Sequence, residues 1–263
     1  MIRALILAAG LGTRLRPLTD DWPKCLMPIG KRPLLDYWLQ TLHAVDISNV
    51  LINSHFHADK VKEFLDRKLF ASWVKLTHEK ELLGTAGTIR ANIDFFQGQT
   101  TLLVHADNWC QCDFGAFIKY HLDQRPKHCL ITMMTFDSDS PQSCGVVEID
   151  NQGVVVAFHE KVANPPGRRA NAAVYLLQPQ VIEWITNHSK VTDFSTEVLP
   201  QYIGRIATWH NSVVHRDIGT LAALGVAQKD SLPPNYWPED EWQKNFQTSF
   251  VFEKIQTNLK ALE

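Results

Sequence analysis

Residues able to do chemistry on a polyanion are concentrated near the start of the chain. Gly10 and Gly12 follow an apolar run, and Arg14, Arg16 and Lys24 come directly after them. Glycines at such a loop let backbone N–H groups turn toward an anion with no Cβ in the way. A loop that ends a strand of a parallel sheet is the usual place for phosphate. Two common phosphate motifs do not fit. A P-loop needs a Gly-Lys pair, which is missing here, and the dinucleotide fingerprint has Leu15 at its third glycine. Pro17 also discourages a helix running on from the loop. Two carboxylates lie far downstream, Asp107 in "VHADNW" and Asp217 in "RDIGT". A carboxylate at a buried strand end is costly unless it is paired or bound to a cation. A lone Asp there is more often a turn or helix-cap residue. "ELLGTAG" (81–87) is a second small-residue loop, which reads either as a helix N-terminus or as a place where a flat base approaches the backbone.

The elements that must carry these residues follow from the hydrophobic pattern. "IRALILA" (2–8) reads as a buried strand, and a helix starting at Pro33 places Leu34, Trp38, Leu42 and Val45 on one face. Strands are expected at 49–54, 73–78, 101–107, 129–136 and 172–177. Helices are expected at 57–70, 113–123, from Pro179, near Ser195 and after Gly219. "CGVVEID" and "VVVAFHE" flanking "NQG" read as a hairpin turning at Asn151 to Gly153. The alternation predicts an α/β fold, with a Rossmann-like, mixed but mostly parallel central sheet and helices on both faces. The expected organisation is one domain over 1–230, with a first half to about 140 and a second half over about 141–230. A C-terminal extension, 231–263, is expected to pack on the same domain; its Pro- and Trp-rich start gives no clear element.

Composition narrows the class. A net charge of −2 over 263 residues argues against a general nucleic-acid or membrane-surface binder. Five cysteines, an odd number, at 25, 110, 112, 129 and 144 do not form a disulfide framework and favour a reducing compartment. The apolar run after Arg3 is short for a signal peptide, and no stretch reaches the length of a membrane span. A cytoplasmic protein is expected. "HFH" (55–57) and "CQC" (110–112) lack a second ligand pair at structural-zinc spacing.

"LAAGLGTRLRPLT" (7–19) followed by "PKCLMPIGKRPLL" (23–35) resembles the signature of the sugar-1-phosphate nucleotidylyltransferases. The likeness extends to about residue 225 and implies the nucleotide-diphospho-sugar transferase type of fold. It implies that Ala8, Ala9, Gly10, Gly12, Thr13 and Arg14 wrap a nucleoside triphosphate. Lys24 would contact the reacting phosphates, so Arg14 and Lys24 are the catalytic candidates. By the same resemblance Gly84, Thr85 and Gly87 meet the base, and Asp107 and Asp217 hold Mg²⁺. Asn108, Gly145, Glu160, Lys161 and Asn171 are placed on the sugar phosphate. "LGTAG" looks like the form in guanylyltransferases acting on mannose- or heptose-type phosphates.

The chain departs from the family pattern at Cys25, at His105, at "KVANPPG" after Lys161 and at Ala173, where glycine is common. Cys25 is expected to be an inert thiol. The expected reaction couples GTP and mannose 1-phosphate or a heptose 1-phosphate into an NDP-sugar and pyrophosphate, for polysaccharide or related biosynthesis. Alternatives are UTP, dTTP or CTP with another sugar phosphate or phosphocholine, or a non-catalytic nucleotide-sugar sensor. The resemblance is compatible with a homo-oligomer and gives no partner among nucleic acids or membranes.

Overall fold

Apolar runs broken by glycine, proline and charged residues set the strand and helix limits. The computed structural model describes residues 1–260; the last three residues of the expected C-terminal extension lie outside the described residues. In chain order the strands are β1 (Ile2–Leu7), β2 (Pro28–Ile29), β3 (Arg32–Pro33), β4 (Val50–Ser54), β5 (Val74–His78), β6 (Thr100–His105) and β7 (Asn108–Gln111). They continue as β8 (Ile131–Asp137), β9 (Gly145–Ile149), β10 (Val155–Glu160), β11 (Arg169–Leu177), β12 (Ile206–His210) and β13 (Val214–Asp217). The α-helices are α1 (Leu34–Ala44), α2 (Ala58–Leu65), α3 (Thr85–Ala91), α4 (Ile93–Phe96), α5 (Phe114–Lys119), α6 (Pro179–Asn187), α7 (Leu221–Ala227), α8 (Glu241–Gln247) and α9 (Phe250–Lys260).

Two compact units emerge. The first contains Met1–Leu5, Leu82–Val104 and Cys112–His215; the second contains Ile6–Glu81, His105–Gln111 and the described chain from Arg216.

In the first unit β11 is the hub of a mixed arrangement. It runs antiparallel to β6, with Val174 opposite Val104, and to β8, with Tyr175 opposite Met133. It also meets β9 where Ala170 faces Val146, and β12 runs parallel to β8. Leu102, Leu103, Met133, Val146, Val174, Leu176 and Leu177 are fully buried, each side chain contributing about 2 kcal/mol of burial. The expected hairpin forms from β9 and β10, with Gly153 at φ +74° and the Asp150 carboxylate accepting from the Gln152 and Val154 N–H groups.

In the second unit β4 and β5 pair in parallel from Val50–Val74 to Ser54–His78. Helix α1 buries Leu34, Leu35, Trp38, Leu39 and Leu42, and α2 buries Val61, Phe64 and Leu65. The segment after β13 returns to this unit as α7, α8 and α9. Gln40 of α1 donates to the Pro234 carbonyl, and Asp240 accepts from Arg67 at 2.6 Å. Asp36 lies between Arg67 and Arg32, so a charge network ties α1 to the approach to α8.

Several expected boundaries move. The helix expected over 57–70 stops at Leu65, because Arg67 turns inward to Asp36 and Asp240. The helix expected over 113–123 is α-helical only to Lys119 and continues as a wider π turn over Tyr120–Gln124. Within that turn His121 Nδ1 lies 2.7 Å from the Thr132 hydroxyl. Near Ser195 there is a π turn, Phe194–Val198, followed by a 3-10 turn over Leu199–Tyr202. Pro200 offers no N–H to continue an α-helix. The strand expected to reach residue 107 ends at His105, so Asp107 lies in the turn beyond it. Strands β12 and β13 and helices α8 and α9 were not anticipated by the pattern.

Candidate functional site

Strand β1 delivers the chain into the second unit at a loop that its own glycines shape. Ala8 N–H donates to the Asn53 side chain at 2.7 Å, which fixes the exit from the strand. Ala9 is buried and Ala8 half-buried. Gly12 has φ +64°, and a Cβ there would stand 2.8 Å from Thr19 Cγ2, so no other residue fits without strain. Its carbonyl accepts from Leu15 N–H and from the Thr19 hydroxyl, both at 2.9 Å. These bonds close the turn Thr13–Leu15, which exposes Thr13 and Arg14. Gly10 is different. Its φ lies outside the left-handed region, and a Cβ there would meet nothing within 4 Å. The fold itself does not require glycine at position 10.

Lys24 opens a second short turn, Lys24–Leu26, and is only 8% exposed. Its ammonium donates to Asp107 Oδ2 at 2.5 Å and to Asp217 Oδ1 at 2.9 Å. Arg14 Nη2 donates to the other oxygen of Asp217 at 3.0 Å. Backbone bonds fix the two carboxylates. Ala106 N–H donates to Leu7 C=O, and Ile218 N–H donates to Asp107 C=O. Gly219 N–H reaches Asp217 Oδ1 at 2.8 Å. Thr220 then caps α7 by accepting from Ala223 N–H. Asn108 is buried, and its carbonyl accepts from the Trp38 indole at 2.8 Å.

Burial alone would push the Lys24 ammonium down, but Asp107 and Asp217 outweigh it and raise its pKa above the ordinary lysine value. Burial likewise acts to raise the Asp217 carboxyl. Lys24 and Arg14 overcome that and hold it below the ordinary carboxylate value. The Lys24 ammonium and the Asp217 carboxylate therefore stay charged across the neutral range. Burial pushes the neighbouring Cys25 thiol up to about 12, so it remains a thiol at neutral pH, as expected of an inert buried cysteine.

The remaining expected residues lie in the first unit. Gly84 has φ +76° and would place a Cβ 2.5 Å from the Thr192 carbonyl oxygen. Thr85 opens α3, and its hydroxyl accepts from Phe194 N–H at 2.6 Å. Gly87 is buried in the same helix. Gly145 and Glu160 face each other across the hairpin, and a Cβ on Gly145 would sit 2.6 Å from Glu160 Oε2. Lys161, at φ +50°, pairs with Glu160 at 3.3 Å. Asn171 donates to the Tyr175 hydroxyl at 2.6 Å and accepts from Ala173 N–H at 3.0 Å. That last bond spans a break in the β11 register, and Ala173 sits there at φ +52°. The departure from glycine at 173 therefore forces an L side chain into the left-handed region.

The second unit thus brings together Ala8 to Arg14, Lys24, Asp107, Asn108 and Asp217. The first unit carries Gly84, Thr85, Gly87, Gly145, Glu160, Lys161 and Asn171. Two participants escaped the sequence reading. Asn53 is in an ordinary strand, with no local signal. Gly219 is visible in "RDIGT", but its need appears only in space. A Cβ there would stand 2.7 Å from Arg14 Nη2, 2.8 Å from Asp217 Oδ1 and 3.0 Å from Lys24 Nζ.

Comparison with known proteins gives a consistent family. The sequence model of the nucleotidyl transferase family matches residues 3–232. The mannose-1-phosphate guanylyltransferase of Mycobacterium tuberculosis is 28% identical over 83% of this chain and 61% of its own length. The D-glycero-alpha-D-manno-heptose 1-phosphate guanylyltransferase of Campylobacter jejuni is 31% identical over 68% of this chain and 77% of its own. Among solved structures, HddC from Yersinia pseudotuberculosis complexed with GMP-PN superposes with a TM-score of 0.72 at 25% identity. That match covers 87% of this chain and 99% of the other. The chain spans 55–61% of the length of the first curated relatives it matches.

Proposed function

Because the chain belongs to the nucleotidyl transferase family, we propose that it joins a nucleoside triphosphate to a sugar 1-phosphate and releases pyrophosphate. The favoured substrates are GTP with mannose 1-phosphate or a heptose 1-phosphate. "LGTAG" at 83–87 and the named activities of the relatives above support the guanine and manno-type reading. The observation that carries the proposal is the convergence of Lys24 with Asp107 and Asp217, beside Arg14 and the open loop at Gly10.

The chemistry needs little proton handling. An oxygen of the sugar phosphate forms a bond to the α-phosphorus, and the bond from that phosphorus to the β-bridging oxygen breaks. A phosphate monoester has its second pKa near 6, so at neutral pH the nucleophile is mostly deprotonated already. The obstacle is charge. Two unit like charges at 4 Å repel by about 4 kcal/mol at an effective dielectric of 20, and several charges are involved. The positive charges of Lys24 and Arg14 would offset that repulsion and steady the charge moving onto pyrophosphate. The space beside Gly10 would let phosphate oxygens reach backbone N–H groups. Glu160 and Asn171 have the acceptor and donor atoms to meet sugar hydroxyls, and Lys161 the charge to meet the sugar phosphate.

Asp107 and Asp217 fit a Mg²⁺ ion. Two carboxylates already turn oxygens onto one cationic nitrogen, and carboxylate oxygens are the donors that this ion prefers. Asp107 and Asp217 would hold the ion through their carboxylate oxygens; among the described residues no three His, Cys, Asp or Glu side chains cluster as a metal group. Once bound, the ion would supply further positive charge against the triphosphate. No helix among the described residues is long and apolar enough to cross a membrane, and we place the reaction in the cytoplasm.

A grid of GTP, UTP, dTTP, CTP and ATP against mannose, glucose, heptose and N-acetylhexosamine 1-phosphates, read as pyrophosphate release with Mg²⁺, tests the proposal. Turnover should be highest with GTP and a manno-configured sugar phosphate. Preference for another base or sugar would redirect the substrate reading, and silence across the grid would favour a sensor.

A further inference from the structure

Lys24 is held by more than its two carboxylates. The segment on each side of it is gripped by residues from the C-terminal part of the second unit, much of which lies past the stretch that matches the family, 3–232. On the N-terminal side, Asp21 pairs with Lys254 of α9 at 2.5 Å. The Trp22 ring lies 5.9 Å from Phe246 of α8, with the Lys60 ammonium 4.7 Å from it as a second neighbour. Trp22 also donates its indole N–H to Leu26 C=O at 3.0 Å, which straps the turn containing Lys24. On the C-terminal side, the Gln228 amide makes two backbone bonds, donating to Pro28 C=O at 2.6 Å and accepting from Gly30 N–H at 3.0 Å. Gly30, at φ +58°, is closely packed by Leu232.

Gln228 follows directly on α7, and α7 begins four residues after Asp217. One short helix therefore connects the backbone bearing Asp217 to the backbone just beyond Lys24. The tail is itself anchored, since Gln40 holds the Pro234 carbonyl and Arg67 holds Asp240.

We propose that Gln228, Phe246 and Lys254 form a brace that positions Lys24 against Asp107 and Asp217, making residues past 227 positioning residues for the transfer step. The kinetic part rests on the function proposed above. A cation that stabilises a transition state must stand at a fixed place, and a shift of about 1 Å can cost on the order of 100-fold in rate. Loosening the brace should therefore lower kcat and leave substrate binding nearly unchanged.

The test uses the full chain with Gln228→Ala, Phe246→Leu and Lys254→Ala, the last breaking the pair with the exposed Asp21 carboxylate. Pyrophosphate release gives kcat and KM. In parallel, N-hydroxysuccinimidyl acetate labels lysines in the folded protein, and mass spectrometry reads Lys24 against exposed Lys75. The expected result is a fall in kcat of at least fivefold with KM within twofold for Gln228→Ala. Lys24 should acetylate at least threefold faster while Lys75 is unchanged. The other two variants should shift both readings in the same direction, and charge reversal, Asp21→Lys with Lys254→Asp, should restore the Lys254→Ala loss. Unchanged Lys24 labelling in Gln228→Ala and Phe246→Leu would overturn the brace, as would faster labelling with unchanged kcat. If the wild-type chain releases no pyrophosphate from any substrate pair, the function proposal fails, while labelling alone still decides whether the brace holds Lys24.

Discussion

Replacing Lys24 with Met removes one charge while keeping most of the side chain's apolar stem, so its effect reads the ammonium rather than the packing. In the folded chain that ammonium is nearly inaccessible and contacts Asp107 and Asp217 at 2.5 and 2.9 Å. If it stands about 4 Å from a phosphate oxygen in the transition state, an effective dielectric of 20 makes the attraction about 4 kcal/mol. Taking the cation away also leaves two carboxylates facing each other, a repulsion of about 3 kcal/mol at roughly 5 Å that a bound divalent ion partly relieves. A net loss of 3–4 kcal/mol of transition-state stabilisation corresponds to a fall in kcat of about 10²–10³-fold. The assay is steady-state pyrophosphate release at saturating nucleotide, sugar phosphate and Mg²⁺. Circular dichroism and a melting curve would verify that the variant is folded. A folded Lys24→Met protein with kcat within threefold of wild type would refute the reasoning.

Other outcomes follow from the same geometry. Gly219→Ala puts a methyl within 3.0 Å of three charged atoms. Overpacking of about 1–3 kcal/mol at that point should lower kcat roughly tenfold or more and lower the melting temperature by a few degrees. Burial pushes the His121 imidazole down to about 3, below its unfolded value near 6.5, so the unfolded chain binds the extra proton between those values and stability falls with acid. Urea unfolding should show about 2 kcal/mol of stability lost from this group between pH 7 and pH 5, and His121→Gln should remove that difference. Ala173→Gly relieves a left-handed alanine and should raise urea-unfolding stability by about 0.5–1 kcal/mol, since the strain exceeds the extra freedom of unfolded glycine.

Much of the fold was readable because local chemistry and global structure agree. The run expected as a strand ends as β1 at Leu7, just before Gly10, Pro33 precedes α1, and Asn151 to Gly153 turns the hairpin. The expected phosphate loop and Lys24 lie together in the second unit. Other features depend on tertiary partners that no local pattern shows. Helix α2 ends early because Arg67 is drawn to two aspartates distant in sequence, and the turn after α5 widens where His121 meets Thr132. Helices α8 and α9 follow a segment with three prolines, whose punctuation obscured the apolar spacing of Phe246, Val251 and Ile255. The meeting of Asp107 with Asp217 was the least legible part. Asp107 lies in the turn after β6 and Asp217 at the end of β13, far apart in sequence, and only the family resemblance paired them. Gly219, whose smallness admits Arg14 and Lys24 to the same carboxylate, carries a one-letter signal with no meaning until those groups are in place.

The most direct measurement is a crystal structure of the chain with a non-hydrolysable GTP analogue, mannose 1-phosphate and Mg²⁺. The account predicts the triphosphate along residues 8–14, the metal between Asp107 and Asp217, and Lys24 turned onto a phosphate oxygen. A nucleotide bound away from Gly10, with Lys24 still locked between its two carboxylates and no metal on either, would contradict it.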